Sequence, residues 1–235
     1  MSGTVLEQLL GMAKSSLKPD SFAEWRDQLA AVENKRAPRH EEAIATDQNP
    51  IHPLRLCKEV RDFIDRDAIL VVDGQEILNF GRQSIPTYEP GHRLNSGAFG
   101  CMGVGLPFGV GAKVAKPDKQ VLVLHGDGSY GINAMEIDTA VRHNIPVVVV
   151  ISNNGGWTAN APWQLPLPKP GRTLGFTRYD RVAMEFGAHG EFVEKPHEIR
   201  PALERAFKSG KPAVVNVITD DKARASTVRF SAYTT

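Results

Sequence analysis

Two short polar motifs, each closing an apolar run, constrain this chain more than any other feature in it. Gln120 to His125 (QVLVLH) is too short for a free-standing helix and rich in β-branched residues, which predicts a buried strand. It runs straight into Gly126-Asp127-Gly128-Ser129. Val147 to Ser152 (VVVVIS) is a second such run and leads into Asn153-Asn154-Gly155-Gly156. Residues 129 to 152, 24 in all, leave room for a turn, a helix of about three turns and a return strand, which is one βαβ unit. Strands joined in that way are parallel. Both motifs therefore fall at carboxyl ends of neighbouring strands, where open α/β sheets bind their ligands.

The residue types suit a phosphate and a hard cation. Gly126 and Gly128 permit a tight turn and a close backbone approach to an anion, and a helix opening after them presents free N–H groups. Asp127 and the Asn154 amide oxygen are hard oxygen ligands of the kind Mg²⁺ takes, and a carbonyl in the glycine pair, that of Gly156, supplies a third. Taken singly, Gly-Asp-Gly is a turn signal and Asn-Asn-Gly-Gly a loop. It is their joint occurrence, each after a buried strand and at this spacing, that points to a site.

Together these motifs resemble the GDG…NN diphosphate-binding signature of thiamine diphosphate (ThDP) enzymes, the superfamily of acetolactate synthase, pyruvate decarboxylase and benzaldehyde lyase. The resemblance runs from about Ile51 to about Thr219 and is nearest to the 2-hydroxyacyl-CoA lyase and oxalyl-CoA decarboxylase branch. It implies an α/β fold, a doubly wound, mostly parallel sheet with helices on both faces. ThDP and Mg²⁺ are the implied cofactors, with Asp127, Asn154 and Gly156 on the metal and Gly126, Gly128, Ser129 and Thr158 beside the cofactor.

Taken in order, residues 4–17 and 20–36 read as helices, the second with Phe22, Trp25, Leu29 and Val32 on one stripe. Pro38 is expected to end it, and 39–48 to be loop. Residues 1–50 thus read as the helical tail of a preceding domain, or an arm for a partner. Residues 51–219 form the main domain and 220–235 a polar, basic tail, either a disordered end or a lid. Within the main domain, helix 53–65 leads to the strand Ala68–Val72 and the loop Asp73-Gly74-Gln75-Glu76. The resemblance puts Gly74, Gln75 and Glu76 against the diphosphate; the neutral alternative is a plain βα turn.

Leu94 to Pro107 (LNSGAFGCMGVGLP) is glycine-rich, which by itself fits a nucleotide loop or a closely packed helix. In the family a similar segment carries a methionine, here Met102, that holds the two cofactor rings in a V, with the Gly100 carbonyl accepting from the pyrimidine amine. Without the family, Met102 reads as a core methionine. A helix follows to Ala115, then one over 132–143, one over 179–187, a strand Gly190–Val193, a helix Pro196–Ser209 and a last strand Pro212–Thr219, for five or six strands. After Gly156 comes an aromatic run from Trp157 to Gln164. The family places it over the reacting end of the substrate, with Trp157 the substrate-facing side chain and simple packing its alternative. Lys169 and Arg172, in a proline-rich loop, either reach a CoA phosphate or stand in solvent.

A net charge of +1 with mixed signs gives no electrostatic case for nucleic acid or an anionic membrane, and no apolar run is long enough to span a bilayer. The N-terminus has no basic stretch ahead of its apolar part, so no signal peptide is expected and the cytoplasm is the expected compartment. Cys57 and Cys101 read as reduced core thiols. No His/Cys spacing suggests zinc, and His125 beside the Gly-Asp-Gly turn reads as structural.

The family reaction also needs a Glu on a pyrimidine-binding domain, usually given across a dimer, and no second α/β domain is visible here. The expected protein is thus the pyrophosphate-binding part of a dimeric or tetrameric carbon–carbon lyase, inactive without a pyrimidine-domain partner. Its expected substrate is a 2-hydroxyacyl-CoA, cleaved to formyl-CoA and an aldehyde or ketone. Oxalyl-CoA decarboxylation and acetolactate synthesis are the alternatives, and a non-catalytic ThDP-binding scaffold is the alternative of another class.

Overall fold

The computed structural model describes residues 2–18, 20–157 and 171–225. The chain divides into two compact units, Met1–Ala43 and Ile44–Thr235.

The first unit is helical, with α1 (Ser2–Ser16) and the greater part of α2 (Ala23–Ile44). Pro38 does not end α2, which runs through it for six more residues. A proline inside a helix costs about 3 kcal/mol through its missing N–H and its clash with the preceding turn. Here Glu41, Glu42 and Ala43 after it, with Arg36 and Ala37 before it, favour helix, and the last residue, Ile44, is fully buried. Of the expected stripe, Trp25, Leu29 and Val32 lie in α2 while Phe22 precedes it, and each of the four side chains is more than half exposed.

The described residues of the second unit hold six strands: β1 (Ile69–Asp73), β2 (Arg93–Leu94), β3 (Val121–Gly126), β4 (Val148–Asn153), β5 (His189–Val193) and β6 (Ala213–Ile218). All pair in parallel, in the order β2-β1-β3-β4-β6-β5. Among the described residues seven α-helices belong with them: α3 (Pro53–Phe63), α4 (Glu76–Ser84), α5 (Gly105–Ala115), α6 (Asp127–Asn133), α7 (Glu136–Arg142), α8 (Tyr179–Glu185) and α9 (Ile199–Lys208).

Strand periodicity explains the layers, since alternate residues face opposite ways. Leu70, Val72, Leu122, Leu124, Val148, Val150, Val215 and Val217 share one core with Leu56 and Val60 of α3, Phe80 of α4 and Leu203 of α9. Ile69, Val71, Val121, Val123, Val149, Ile151 and Val214 share the other with Leu106 of α5, Tyr130 of α6, Ile137 of α7 and Ala183 of α8. With both faces covered, the strands can be apolar throughout, which is why they read as continuous runs rather than alternating ones.

Strand order also locates a crevice. From β1 the chain moves to β2 on one side and then returns to lay β3 on the other. The connections at the carboxyl ends of β1 and β3 therefore diverge, leaving the gap in which open sheets bind ligands.

Three further local expectations are not met. The helix expected over 132–143 starts earlier, at Asp127, and is broken at Ala134 into α6 and α7. Gly128 and Gly131 are poor helix formers, but burial of Tyr130, 1% exposed, outweighs that weak preference. Glu76, expected in a loop, is the first residue of α4. Cys57 is buried as expected, whereas Cys101 is exposed.

Candidate functional site

The site grows from the ends of β3 and β4. Gly126 leaves β3 in an extended conformation and Asp127 turns at once into α6, so the carboxylate sits at the strand end, 2% exposed. After β4, Gly155 and Gly156 take φ of 78° and 157° and swing the chain back toward Asp127. Burial pushes the Asp127 carboxyl up to about 7, against the pull of backbone N–H groups of Gly128, Asp127, Gly156 and Gly155. The acid of one motif thus faces the amides of the other across the adjacent strand ends.

These residues open onto a cleft of about 550 Å³. Its wall takes Gly74, Gln75 and Glu76 from the end of β1, Met102 from the glycine-rich loop, Gly126 to Ser129 from β3 and α6, and Ser152, Asn154, Gly156 and Trp157 from β4 and beyond. Pro53, Ile77, Phe80 and Ala223 supply an apolar part. The Trp157 indole packs on the start of α6: a Cβ on Gly128 would stand 2.9 Å from the ring. Only a glycine allows that contact.

Gly100 is not brought to this wall. It is an exposed residue in the left-handed region (φ 63°) closing a short 3₁₀ turn, Gly97–Phe99. Thr158 and Lys169 lie outside the described residues. The Arg172 guanidinium is turned to the Trp157 carbonyl, 2.8 Å away, while the Trp157 N–H donates to the Arg172 carbonyl at the same distance. Glu76 lines the cleft, but its Oε2 accepts the Ala225 N–H at 2.9 Å, tying the segment after β6 to the cleft.

Beneath the cleft lies a buried polar floor that sequence reasoning only half found. Asp73, read as a loop residue, is 3% exposed, and its Oδ2 accepts the Gly105 N–H at 2.8 Å. Burial raises its pKa, with the amides of Gly105, Gly74, Gly103 and Val104 working the other way. His125, 1% exposed, is lowered by burial to about 3 and is therefore neutral. Its Nδ1 lies 3.0 Å from Ser129 Oγ, which also reaches the carbonyls of Asp73 (3.2 Å) and Gly126 (3.1 Å). The assignment that satisfies this set puts the proton on Nδ1, donating to Ser129, whose own hydroxyl then donates to a carbonyl.

Asn133 closes the arrangement by donating to the Gly103 carbonyl at 2.7 Å. The loop bearing Met102 is thus held from β1 by Asp73 and from α6 by Asn133. A partial signal is the Asp that ends a buried strand, since a carboxylate there needs donors, which the amides at the start of α5 supply. Gly105→Ala tests the floor. Its methyl would stand 2.4 Å from His125 Nε2 and 2.7 Å from Asp73 Cβ. The urea-unfolding midpoint should fall by the equivalent of about 1–3 kcal/mol; an unchanged midpoint would show that the floor is not packed as described.

Among the described residues no group of three His, Cys, Asp or Glu converges to hold a metal, so a cation here would rely on amide and carbonyl oxygens beside Asp127. No described helix is long and apolar enough to cross a membrane.

Comparison with known proteins agrees with the geometry. Residues 78–217 match the family model described as thiamine pyrophosphate enzyme, C-terminal TPP binding domain. A probable acetolactate synthase of Mycobacterium bovis is 43% identical over 204 residues, covering 83% of this chain and 36% of that protein. A 2-hydroxyacyl-CoA lyase of Arabidopsis thaliana is 32% identical, covering 94% and 42%. An oxalyl-CoA decarboxylase of Escherichia coli K12 is 33% identical, covering 94% and 40%. Among solved structures, the ThDP-dependent 4-hydroxybenzoylformate decarboxylase of Rhodococcus jostii RHA1 superposes with a TM-score of 0.69 at 27% identity, over 75% of this chain and 34% of that one. The chain spans about two-fifths of the length of these relatives or less.

Proposed function

The chain belongs to the thiamine pyrophosphate enzymes, as their C-terminal TPP-binding domain, and we propose that its cleft holds the diphosphate of ThDP through Mg²⁺ for making or breaking a carbon–carbon bond. The observation that carries this reading is the Asp127 carboxylate, buried at one strand end and facing the Gly155 and Gly156 amides at the next. A carboxyl so desolvated that it holds its proton to about 7 is poised for a cation, which replaces the lost hydration.

The residues fit the group. Asp127, the Asn154 amide oxygen and the Gly156 carbonyl form an all-oxygen donor set suited to Mg²⁺. Gly74, Gln75, Gly126, Gly128 and Ser129 line the cleft beside them and would take the diphosphate, while Met102 and Trp157 would support the rings and the substrate's reacting end. When bound, the thiazolium of ThDP supplies an electron sink for a carbanion next to a carbonyl. The Glu that would activate it is proposed to come from a pyrimidine-binding domain, elsewhere in a longer polypeptide or on a partner chain.

For the substrate, the run Asn153 to Trp157 and the relatives named for CoA substrates favour cleavage of a 2-hydroxyacyl-CoA to formyl-CoA and an aldehyde or ketone. The 43% identity to a probable acetolactate synthase favours a second reading, condensation of two 2-oxo acids. One experiment separates them: the chain, assembled with a pyrimidine-domain partner, ThDP and Mg²⁺, is assayed for formyl-CoA release and for acetolactate formation. The first reading expects formyl-CoA. Acetolactate alone establishes the second, and ThDP binding with neither product leaves a non-catalytic scaffold.

A further inference from the structure

A buried amide network lies behind the Asn-Gly-Gly turn, away from the cleft. Asn153 and Asn216 are fully buried and Asp180 is 3% exposed. The Asn153 side-chain NH₂ donates to the Thr177 carbonyl at 3.0 Å and to Asn216 Oδ1 at 3.1 Å, and its Oδ1 accepts the Gly155 N–H at 3.2 Å. The Asn216 NH₂ donates to the same Thr177 carbonyl at 3.0 Å and to Asp180 Oδ1 at 3.2 Å. Arg178 grips Asp180 with two bonds, of 2.9 and 2.6 Å.

Both side-chain N–H groups of each carboxamide donate and each oxygen accepts, and the use is directional. Turning either amide over would set N–H against N–H or oxygen against oxygen. The order therefore runs one way: the Arg178–Asp180 pair fixes Asn216, Asn216 fixes Asn153, and Asn153 fixes the Gly155 amide. Asn153 and Asn216 do not line the cleft. They end instead on the backbone between Asn154 and Gly156, the two β4-side residues read as cation ligands.

We propose that Asn153 and Asn216 are positioning residues, a buried relay that sets the orientation of the Asn154–Gly156 turn and with it the affinity for the cation. This rests on the reading that the turn holds Mg²⁺. Asn216 comes from β6, so the relay also locks the cation side of the site to a strand that contributes no ligand.

The test uses the 235-residue chain and reads Mg²⁺ binding in the presence of saturating ThDP by calorimetry, with the urea-unfolding midpoint of the cofactor-free chain beside it. Asn216→Asp keeps the acceptor for Asn153 but loses the donors to the Thr177 carbonyl and to Asp180, and sets two carboxylates together. Asp180→Asn loses the acceptor charge. Each alone should weaken Mg²⁺ binding about 10-fold or more, the size expected when a ligand's support is removed. The double variant parts the two carboxylates but still sets an oxygen of residue 216 against the Thr177 carbonyl and an N–H of residue 180 against Arg178 Nε, so it should recover little of the loss.

Single variants that lower the urea midpoint while leaving Mg²⁺ affinity unchanged overturn the proposal. If a single variant does not fold, hydrogen exchange of the Gly155 amide in the cofactor-free wild type decides: protection is expected, and free exchange overturns the relay. A wild-type chain that binds neither Mg²⁺ nor ThDP when assembled with a pyrimidine-domain partner would instead refute the cofactor reading itself.

Discussion

Asp127→Ala lowers the affinity of the chain for ThDP in the presence of Mg²⁺ by about 30-fold or more at about pH 8, since truncating one partner of a buried charge pair costs about 2–5 kcal/mol. The loss is large because the carboxylate is 2% exposed, so no water can take its place cheaply. Asp127→Asn keeps the shape and one neutral oxygen and should fall between wild type and Ala. Proton counting sharpens the test. In the cation-free chain burial holds this carboxyl up to about 7, so a cation arriving at lower pH must displace the proton. Titration in buffers of different ionisation enthalpy should therefore read nearly one proton released per Mg²⁺ at about pH 6 and almost none by about pH 8. An Ala variant within about 3-fold of wild type, or binding with no linked proton at the lower pH, contradicts the assignment.

The second large effect is hidden in the wild-type chain because two buried groups oppose each other. Asp127 moves from 3.8 to about 7 on folding, so between those values the folded state binds more protons and its stability falls as pH rises. His125 moves from 6.5 to about 3, so over that window the unfolded state binds more protons and stability is lost as pH falls. Each contributes a slope of about 1.4 kcal/mol per pH unit, with opposite sign. Between roughly pH 4 and 6.5 the two offset.

Asp127→Asn removes one of them. Relative to wild type, its unfolding free energy should drop by about 3 kcal/mol as pH is lowered from about 6.5 to about 4. His125→Asn should show the reverse, gaining on wild type as pH falls through the same range. Urea unfolding at a series of pH values checks both, read as the difference between variant and wild type so that the background of exposed carboxylates cancels. A difference profile that is flat for Asp127→Asn would mean that the carboxyl is not held protonated by burial.

How much of this was legible in the sequence follows from what each residue depends on. Strands β3 and β4 were plain because buried parallel strands need apolar residues on both faces, and short β-branched runs allow little else. Their ends were equally plain, since a glycine, an acid and an asparagine there have no packing reason to be present. Residues depending on contacts distant in sequence were harder to read. Asp73 gains meaning only from the Gly105 amide and Asn153 only from Asn216, partners 32 and 63 positions away. Pro38 misled for the opposite reason: the local stop signal is real, but flanking helix formers and the burial of Ile44 outweigh it. The helix at Asp127 starts before the sequence suggests, because two glycines depress local propensity whereas Tyr130 packs into the core and supplies what they lack.

Growing crystals of the chain with ThDP and Mn²⁺ in place of Mg²⁺, and locating the metal by its anomalous scattering, puts the central claim to its most direct test. The account expects one strong peak at the cleft, within bonding distance of an Asp127 carboxylate oxygen, the Asn154 amide oxygen and the Gly156 carbonyl. Diphosphate bound with no metal there, or a metal held by other residues of the chain, would contradict it.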